Sequence, residues 1–378
     1  MAHKIFFVSS QKMSVVAFLL PHLRSTVSLY SISVFINDRD EKFLSRLHLD
    51  VPVFFVPIER SINLLQDIKG LFSLYRSFRN GRPQAVHSVT PKAGLLAMSA
   101  AWLARVPVRV HTFTGQIWVT RSGPMRFLLK MADRCIAAMA TNVLVDSPSQ
   151  RAFLIKQGVV TADRSSVLGA GSICGVDIIR FCPSKNVRQA VREELGTSFN
   201  TFVCLYLGRL NRDKGVLDLA SAFAKVAKAH PKVELWVVGP DEANLFKQMK
   251  TLLGDAIHKV KRVHFTLEPQ RFMQAADLFC LPSYREGFGS SVIESAACGI
   301  PALVSRIYGL TDAVVEGKTG WMHEPGNVTD IVIQLKKIIT NNSELKFKGK
   351  AARLFVKKQF DQVKVTNAML DFYKEHLK

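Results

Sequence analysis

Short runs of β-branched and aromatic residues, apolar on both faces, alternate with helical periodicity along nearly the whole chain. Such runs at 5–9, 31–36, 51–57, 85–89, 108–113 and 142–146 are separated by helix-patterned segments, among them 63–78, 93–104 and 125–139. A strand that is apolar on both faces needs cover on both, as in a parallel sheet between helical layers. The pattern pauses at Gly169-Ala-Gly-Ser-Ile-Cys-Gly175, a glycine-rich stretch suited to a linker, and Pro183 follows. A second series has strands at 201–207, 233–238, 263–266, 278–282 and 302–305. Helices are expected from about Val216, Ala243, Pro269 and Val292, and again from Val328 onward. The fold expected is α/β, with two Rossmann-like, doubly wound domains in tandem. A length of 378 residues suits two domains of ordinary size.

Charge narrows the range of partners. The chain carries 51 Lys and Arg against 30 Asp and Glu, a net charge of +21. Residues 1–170 account for +12 of this, so the first half is the more basic per residue. Such a field favours nucleic acid, an anionic membrane surface or phosphorylated substrates. The segments 71–82 and 125–134 mix apolar residues with Arg or Lys, as interfacial helices do. Their apolar faces are expected to pack mostly on the sheet, leaving basic rims exposed and making membrane docking mainly electrostatic. The six cysteines form no C-x-x-C pair, so neither a disulfide framework nor a zinc site is indicated. The longest uncharged apolar run, 93–104, is too short to span a bilayer, and the first residues do not read as a signal peptide. A cytoplasmic location is expected.

Two constellations can carry chemistry. Leu207-Gly208-Arg209-Leu-Asn-Arg-Asp213-Lys214-Gly215 lies where a strand gives way to a helix, at the carboxyl edge at which open α/β sheets bind ligands. Arg209 offers a planar fork and Lys214 a point charge beside a helix N-terminus, a combination suited to a diphosphate. The second, Ser283-Tyr-Arg-Glu286-Gly287-Phe288-Gly289-Ser290-Ser291-Val-Ile-Glu294, follows the strand at 278–282 and opens a helix. Gly287 and Gly289 permit close backbone approach, and the amides after them point outward. Glu286 and Glu294 bracket the turn, each able to hold neutral hydroxyls. Ser291 and Glu294 also have the spacing of a capping box, which needs no ligand.

These motifs resemble the C-terminal domain of retaining family 4 glycosyltransferases of the GT-B fold, in which two Rossmann-like domains face a cleft. Glu286 and Glu294 match the E-x(7)-E spacing of that family, Gly175-Val-Asp177 its hinge, and Gly317-Lys-Thr-Gly320 a later turn. In the first half, His87-Ser-Val-Thr-Pro91-Lys92-Ala-Gly94 and His111-Thr-Phe-Thr-Gly115-Gln resemble a bacterial subgroup that elongates lipid-linked surface polysaccharides. The resemblance implies an acceptor-binding domain at 1–172, a nucleotide-sugar-binding domain at 173–359, and a C-terminal helix of about 360–378 packed back on the first. It implies a UDP-sugar donor, a lipid-diphosphate-linked glycan acceptor, and enzyme docked on the inner face of the cell membrane. Arg209 and Lys214 would hold the donor diphosphate, with Gly208 and the 287–291 backbone around it. Glu294 would hold the ribose, Glu286 the sugar hydroxyls, and His111 would face the donor sugar. Attack would be front-side, a leaving phosphate oxygen taking the acceptor proton.

On the acceptor side the candidates are Lys12, His87, Lys92 and Arg121. Lys12 falls in Ser9-Ser-Gln-Lys12-Met-Ser14, where many relatives have a glycine-rich loop; its charge could replace a missing amide. After Ser305 the chain reads Arg-Ile-Tyr-Gly309, where relatives often have paired glycines. Asp38-Arg-Asp40 has the form of a metal-binding pair, but Asp40 is expected to cap a helix. No cofactor and no donor-binding metal are expected. Two alternatives remain open at this point: an epimerase of nucleotide-sugars with the same shape, and a basic nucleic-acid-binding protein. Paired carboxylates would repel a nucleic-acid backbone, and no zinc ligands or basic recognition helix appear.

Overall fold

The computed structural model describes residues 3–59 and 63–377. They form two units, Met1–Gly175 with Gln362–Lys378, and Val176–Asp361. The first unit has seven parallel strands: β1 (Lys4–Val8), β2 (Ser31–Ile36), β3 (Val53–Phe55), β4 (Ala85–Val89), β5 (Val108–Phe113), β6 (Asn142–Val145) and β7 (Ser165–Val167). Their order is β3-β2-β1-β4-β5-β6-β7. The central strand β4 is buried at all five positions, as its two-faced apolar pattern requires.

Three helices cover one face of this sheet. Helix α1 (Leu64–Gly81) starts at Asn63, whose side chain accepts from the Gln66 amide, and stops at Arg82 in the left-handed region. Helix α2 (Pro91–Leu103) packs between α1 and α3 (Gly123–Met139). Residues 121–128, at and just before the start of α3, are all exposed. The expectation that these helices hide their apolar residues on the sheet therefore fails in part. Leu64, Leu65, Ile68 and Phe72 of α1, and Met125, Phe127 and Leu128 of α3, face outward.

The second unit is a six-stranded parallel sheet: β8 (Phe202–Leu207), β9 (Val233–Val238), β10 (Val260–Val263), β11 (Leu278–Leu281), β12 (Ala302–Ser305) and β13 (Gly320–His323), in the order β10-β9-β8-β11-β12-β13. Helix α4 (Val216–Ala229) follows β8, and α5 (Ser290–Ala297) follows β11. The strand expected at 263–266 lies three residues earlier. Lys261 and Arg262 hide it in the sequence, because an edge strand is only half-buried. Arg262 is held there by the Val237 and Gly239 carbonyls. Both sheets follow doubly wound order, as the alternating runs imply.

Helix α6 (Gln362–His376) belongs to the first unit. Its Met369, Phe372 and Tyr373 join the core formed by Ile5, Phe7 and Leu23. The Tyr373 hydroxyl lies 2.5 Å from His87 Nδ1.

Candidate active site

Two loops at the carboxyl edge of the second sheet are stitched together. Residues 212–214 make one 3₁₀ turn, capped by the Asn211 side chain and closed by Gly215 at φ 64°. A side chain at Gly215 could not fit: its Cβ would stand 1.9 Å from the Pro282 carbonyl oxygen. This contact brings Lys214 against the loop after β11. The Tyr284 amide donates to the Asp213 carbonyl at 2.8 Å, and Arg285 Nε to Asp213 Oδ2 at 2.9 Å. Tyr284 donates its hydroxyl proton to Asp218 at 2.6 Å.

At the junction Lys214 Nζ donates to Glu286 Oε1 at 2.5 Å, and Ser283 Oγ donates to the same oxygen at 2.8 Å. Burial, and next the Glu286 carboxylate, push the nearby Tyr206 phenol upward. Gly309, at φ 82°, supports the loop from behind, since a Cβ there would meet the Gly287 oxygen at 2.6 Å. That single glycine thus has a defined role in this variant Arg306-Ile-Tyr-Gly309 sequence. The Gly317–Gly320 turn is held by Lys348, which donates to the Gly317 carbonyl.

Helix α5 starts at Ser290 with Gly289 as its N-cap and no side-chain cap bond. The capping box of Ser291 and Glu294 does not form, because Ser291 already lies inside the helix. The amides of Gly289 and Ser291 have no hydrogen-bond partner among the described residues. They are available to an anion at the helix start. Glu294 is partly buried on the same helix. Burial raises its pKa to about 7, and Arg180 opposes that shift. Phe288 turns inward against Phe360, with ring centroids 5.1 Å apart, so this position offers a ligand its backbone and not its ring. Arg209 does not accompany Lys214 at Glu286. It pairs with Glu242 at 3.2 Å on the surface, beside Gly208.

The first unit places its candidates differently from the expectation. His111 lies inside β5 and is fully buried, not open at the strand end. Its Nδ1 is 2.8 Å from Ser88 Oγ, while its Nε2 has no partner among the described residues. Burial lowers its pKa to about 3, so the ring is neutral at pH 7. His87 is also fully buried, bonded by Tyr373 and by Thr112 Oγ1 at 2.7 Å. Its role is in the core, and the acceptor-side assignment does not fit it.

Lys12 pairs with Asp40 at 2.6 Å, and Arg46 binds the same carboxylate. Asp38 Oδ1 accepts the Asp40 amide at 2.8 Å, so Asp40 is not the helix cap expected. Lys92 pairs with Asp67 at 2.6 Å, and Arg121 is exposed just before α3. Ser10 and Thr90 hydroxyls, 3.0 Å apart, join the turns that carry Lys12 and Lys92.

Sequence reasoning missed Ser88, Ser283 and the Asp213–Arg285 pair. Ser88 could have been found once β4 and β5 were taken as parallel neighbours, for Ser88 stands in register with His111.

Comparison with known proteins fits this arrangement. Residues 22–171 match the family described as Glycosyl transferase 4-like domain, and residues 187–355 match Glycosyl transferases group 1. The capsular polysaccharide biosynthesis glycosyltransferase CapM of Staphylococcus aureus is 28% identical, over 92% of this chain and 91% of that protein. The UDP-Gal:alpha-D-GlcNAc-diphosphoundecaprenol alpha-1,3-galactosyltransferase of Escherichia coli is 28% identical, over 85% of this chain and 84% of its own. The fold matches that of HepE from Anabaena, solved with UDP and glucose, at a TM-score of 0.82 and 21% identity, covering 99% of this chain and all of that one. Sucrose-phosphate synthase from Thermosynechococcus elongatus aligns at 0.80 and 19% identity, over 99% and 98% of the two chains. The chain belongs to the family 4 glycosyltransferases of the GT-B fold. That membership makes glycosyl transfer, and not epimerisation, the activity that the relatives support.

Proposed function

We propose that this glycosyltransferase moves a sugar from a UDP-sugar, such as an N-acetylhexosamine donor, to a lipid-diphosphate-linked glycan during bacterial surface-polysaccharide synthesis, with retention at the anomeric carbon. The observation that carries the donor half is the junction of Lys214 and Glu286 beside the unpartnered amides of Gly289 and Ser291. A cation and two amides suit a diphosphate, and the adjacent carboxylate suits sugar hydroxyls. Glu294 takes the ribose, and Arg209 adds a second cation by leaving its exposed partner Glu242. His111 is neutral and its Nε2 is buried without a partner among the described residues, so it does not serve as a general acid; a hydrogen bond from it to the sugar would require its pocket to open. Lys12, Lys92 and Arg121 take the acceptor diphosphate. The acceptor half draws support from the Escherichia coli relative, a galactosyltransferase that acts on alpha-D-GlcNAc-diphosphoundecaprenol, and the donor half from the HepE structures, which hold UDP or UDP-glucose.

Asp38 and Asp40 are engaged by a backbone amide and by two cations, so no donor-bound metal is assigned to them. The test is a screen of nucleotide-sugars against a short prenyl-diphosphate glycan, with excess chelator present, read by mass spectrometry, the product anomer being fixed by NMR. Transfer from a UDP-sugar with retained configuration is expected. Inversion, or transfer that returns only with added manganese or magnesium, would overturn the reading.

A further inference from the structure

The outward faces of α1 and α3 are unlike ordinary solvated helix faces. On α1, Leu64, Leu65, Ile68 and Phe72 are between 57% and 74% exposed. Leu64, Ile68 and Phe72 lie four residues apart and so form one line along the helix, which Arg76 continues. On α3, Met125, Phe127 and Leu128 stand out in a stretch where every residue is exposed. Scattered exposed apolar residues are common, but contiguous ones rimmed by a single charge sign mark a contact surface.

The charges on these helices are sorted. Each helix has one acidic residue, and both are withdrawn from solvent: Asp67 is tied to Lys92, and Asp133 is buried and bonded by Trp118 Nε1 at 2.8 Å. Lys69, Arg76 and Arg79 on α1, and Arg126, Lys130 and Arg134 on α3, remain at the surface or its margin. Lys130 is crowded enough by partial burial, Arg134 and Arg126 that its pKa is lowered. Because α2 packs between α1 and α3, both patches belong to one helical layer.

We propose that this layer docks on an anionic lipid bilayer by inserting the first turns of α1 and α3, with the basic side chains on lipid headgroups. A second copy of the chain would set two basic rims against each other, whereas an anionic bilayer satisfies both the apolar and the charged parts. Docking on this surface therefore has a larger apolar part than the mainly electrostatic binding expected from the sequence. The inference rests on the lipid-linked acceptor reading only for the identity of the membrane.

The test is co-sedimentation of the full chain with phosphatidylglycerol or phosphatidylcholine vesicles at 0.1 M and 1 M salt. The wild type should bind phosphatidylglycerol vesicles and retain part of that binding at 1 M salt. The charge-neutral pairs Leu65→Ser with Phe72→Ser, and Phe127→Ser with Leu128→Ser, should each lower binding about tenfold and remove the salt-resistant part. Arg126→Gln with Lys130→Gln should lower only the low-salt part. Unaltered circular dichroism and unaltered transfer to a water-soluble acceptor would show that the serine variants are folded and active. Serine variants that bind like the wild type, equal binding to both lipids, or a dimer that the same substitutions dissociate would overturn the proposal. Loss of transfer to the soluble acceptor by the wild type would instead count against the proposed reaction.

Discussion

Lys214 and Glu286 pair at 2.5 Å, so a donor bound as proposed must share or replace that contact. On the proposed reading the lysine then gains a diphosphate, and the glutamate is released to hydroxyls. Lys214→Ala should weaken UDP by about 1.5–3 kcal/mol, the usual size of a hydrogen bond to a charged group, which is roughly 10–100-fold. Uridine, which lacks the phosphates, should bind the variant as it binds the wild type. Equal losses for both ligands by calorimetry would move Lys214 to the base or to the fold. Glu294 gives a second, pH-dependent readout. With its pKa raised to about 7, it is mostly protonated at pH 6 and ionised at pH 8. If the ribose hydroxyls need the carboxylate, affinity scales with the ionised fraction and should rise about tenfold from pH 6 to 8. Uridine is the right probe because it has no group titrating in that range. Glu294→Gln should flatten the dependence; a slope equal to that of the wild type would exclude Glu294 from the ribose site.

At the scale of elements, one close constraint is the approach of α2 to β5. A Cβ on Gly94 would stand 2.3 Å from His111 Cε1, and both positions are buried. Gly94→Ala must shift the helix or turn the imidazole away from Ser88. Overpacking of this kind costs about 1–3 kcal/mol. The variant should melt lower and lose kcat with little change in donor KM. Retention of both melting temperature and kcat would show that the His111 ring has room to move. The same contact shows what the sequence could reveal. The strand runs and the glycine-flanked loops at 208–215 and 283–291 were legible, because burial on two faces and tight turns leave local composition signals. Strand neighbours were not, and so neither Ser88 beside His111 nor Gly94 against its ring could be read. Charged edge positions such as Arg262 displaced the reading of β10 by three residues. Phe288 looked like part of a binding loop, yet its ring anchors the loop to Phe360, a residue 72 positions away, which no local pattern encodes.

Across the whole molecule, the first unit keeps an unusual set of titratable groups dry. His22, His87 and His111 are fully buried, and burial lowers the pKa of each, to about 3 for His87 and His111. Their unfolded value is near 6.5, so below it the unfolded chain binds more protons at these sites, down to about pH 3 for His87 and His111. Each therefore removes stability as pH falls through that window. Asp133 and Asp146 work in the opposite sense, since burial raises both, Asp133 to about 7. The opposing effects blur a melting profile, whereas NMR resolves them. The ring resonances of His87 and His111 should not move between pH 8 and 5.5, while those of exposed histidines shift. A midpoint near 6.5 for either would mean that its ring reaches water.

Helix α6 gives the chain a particular order of manufacture. The ribosome makes the seven strands of the first unit early, then all of Val176–Asp361, and only then the helix that covers Phe7 and bonds His87. At about 5–20 residues per second, the intervening stretch keeps part of one face of the first sheet uncovered for roughly 10–40 s. The second unit can close meanwhile, because its own first and last residues pair at Val176 and Asp361. The domain begun first is thus the domain finished last, and a nonsense mutation near residue 362 would damage the amino-terminal half of the enzyme.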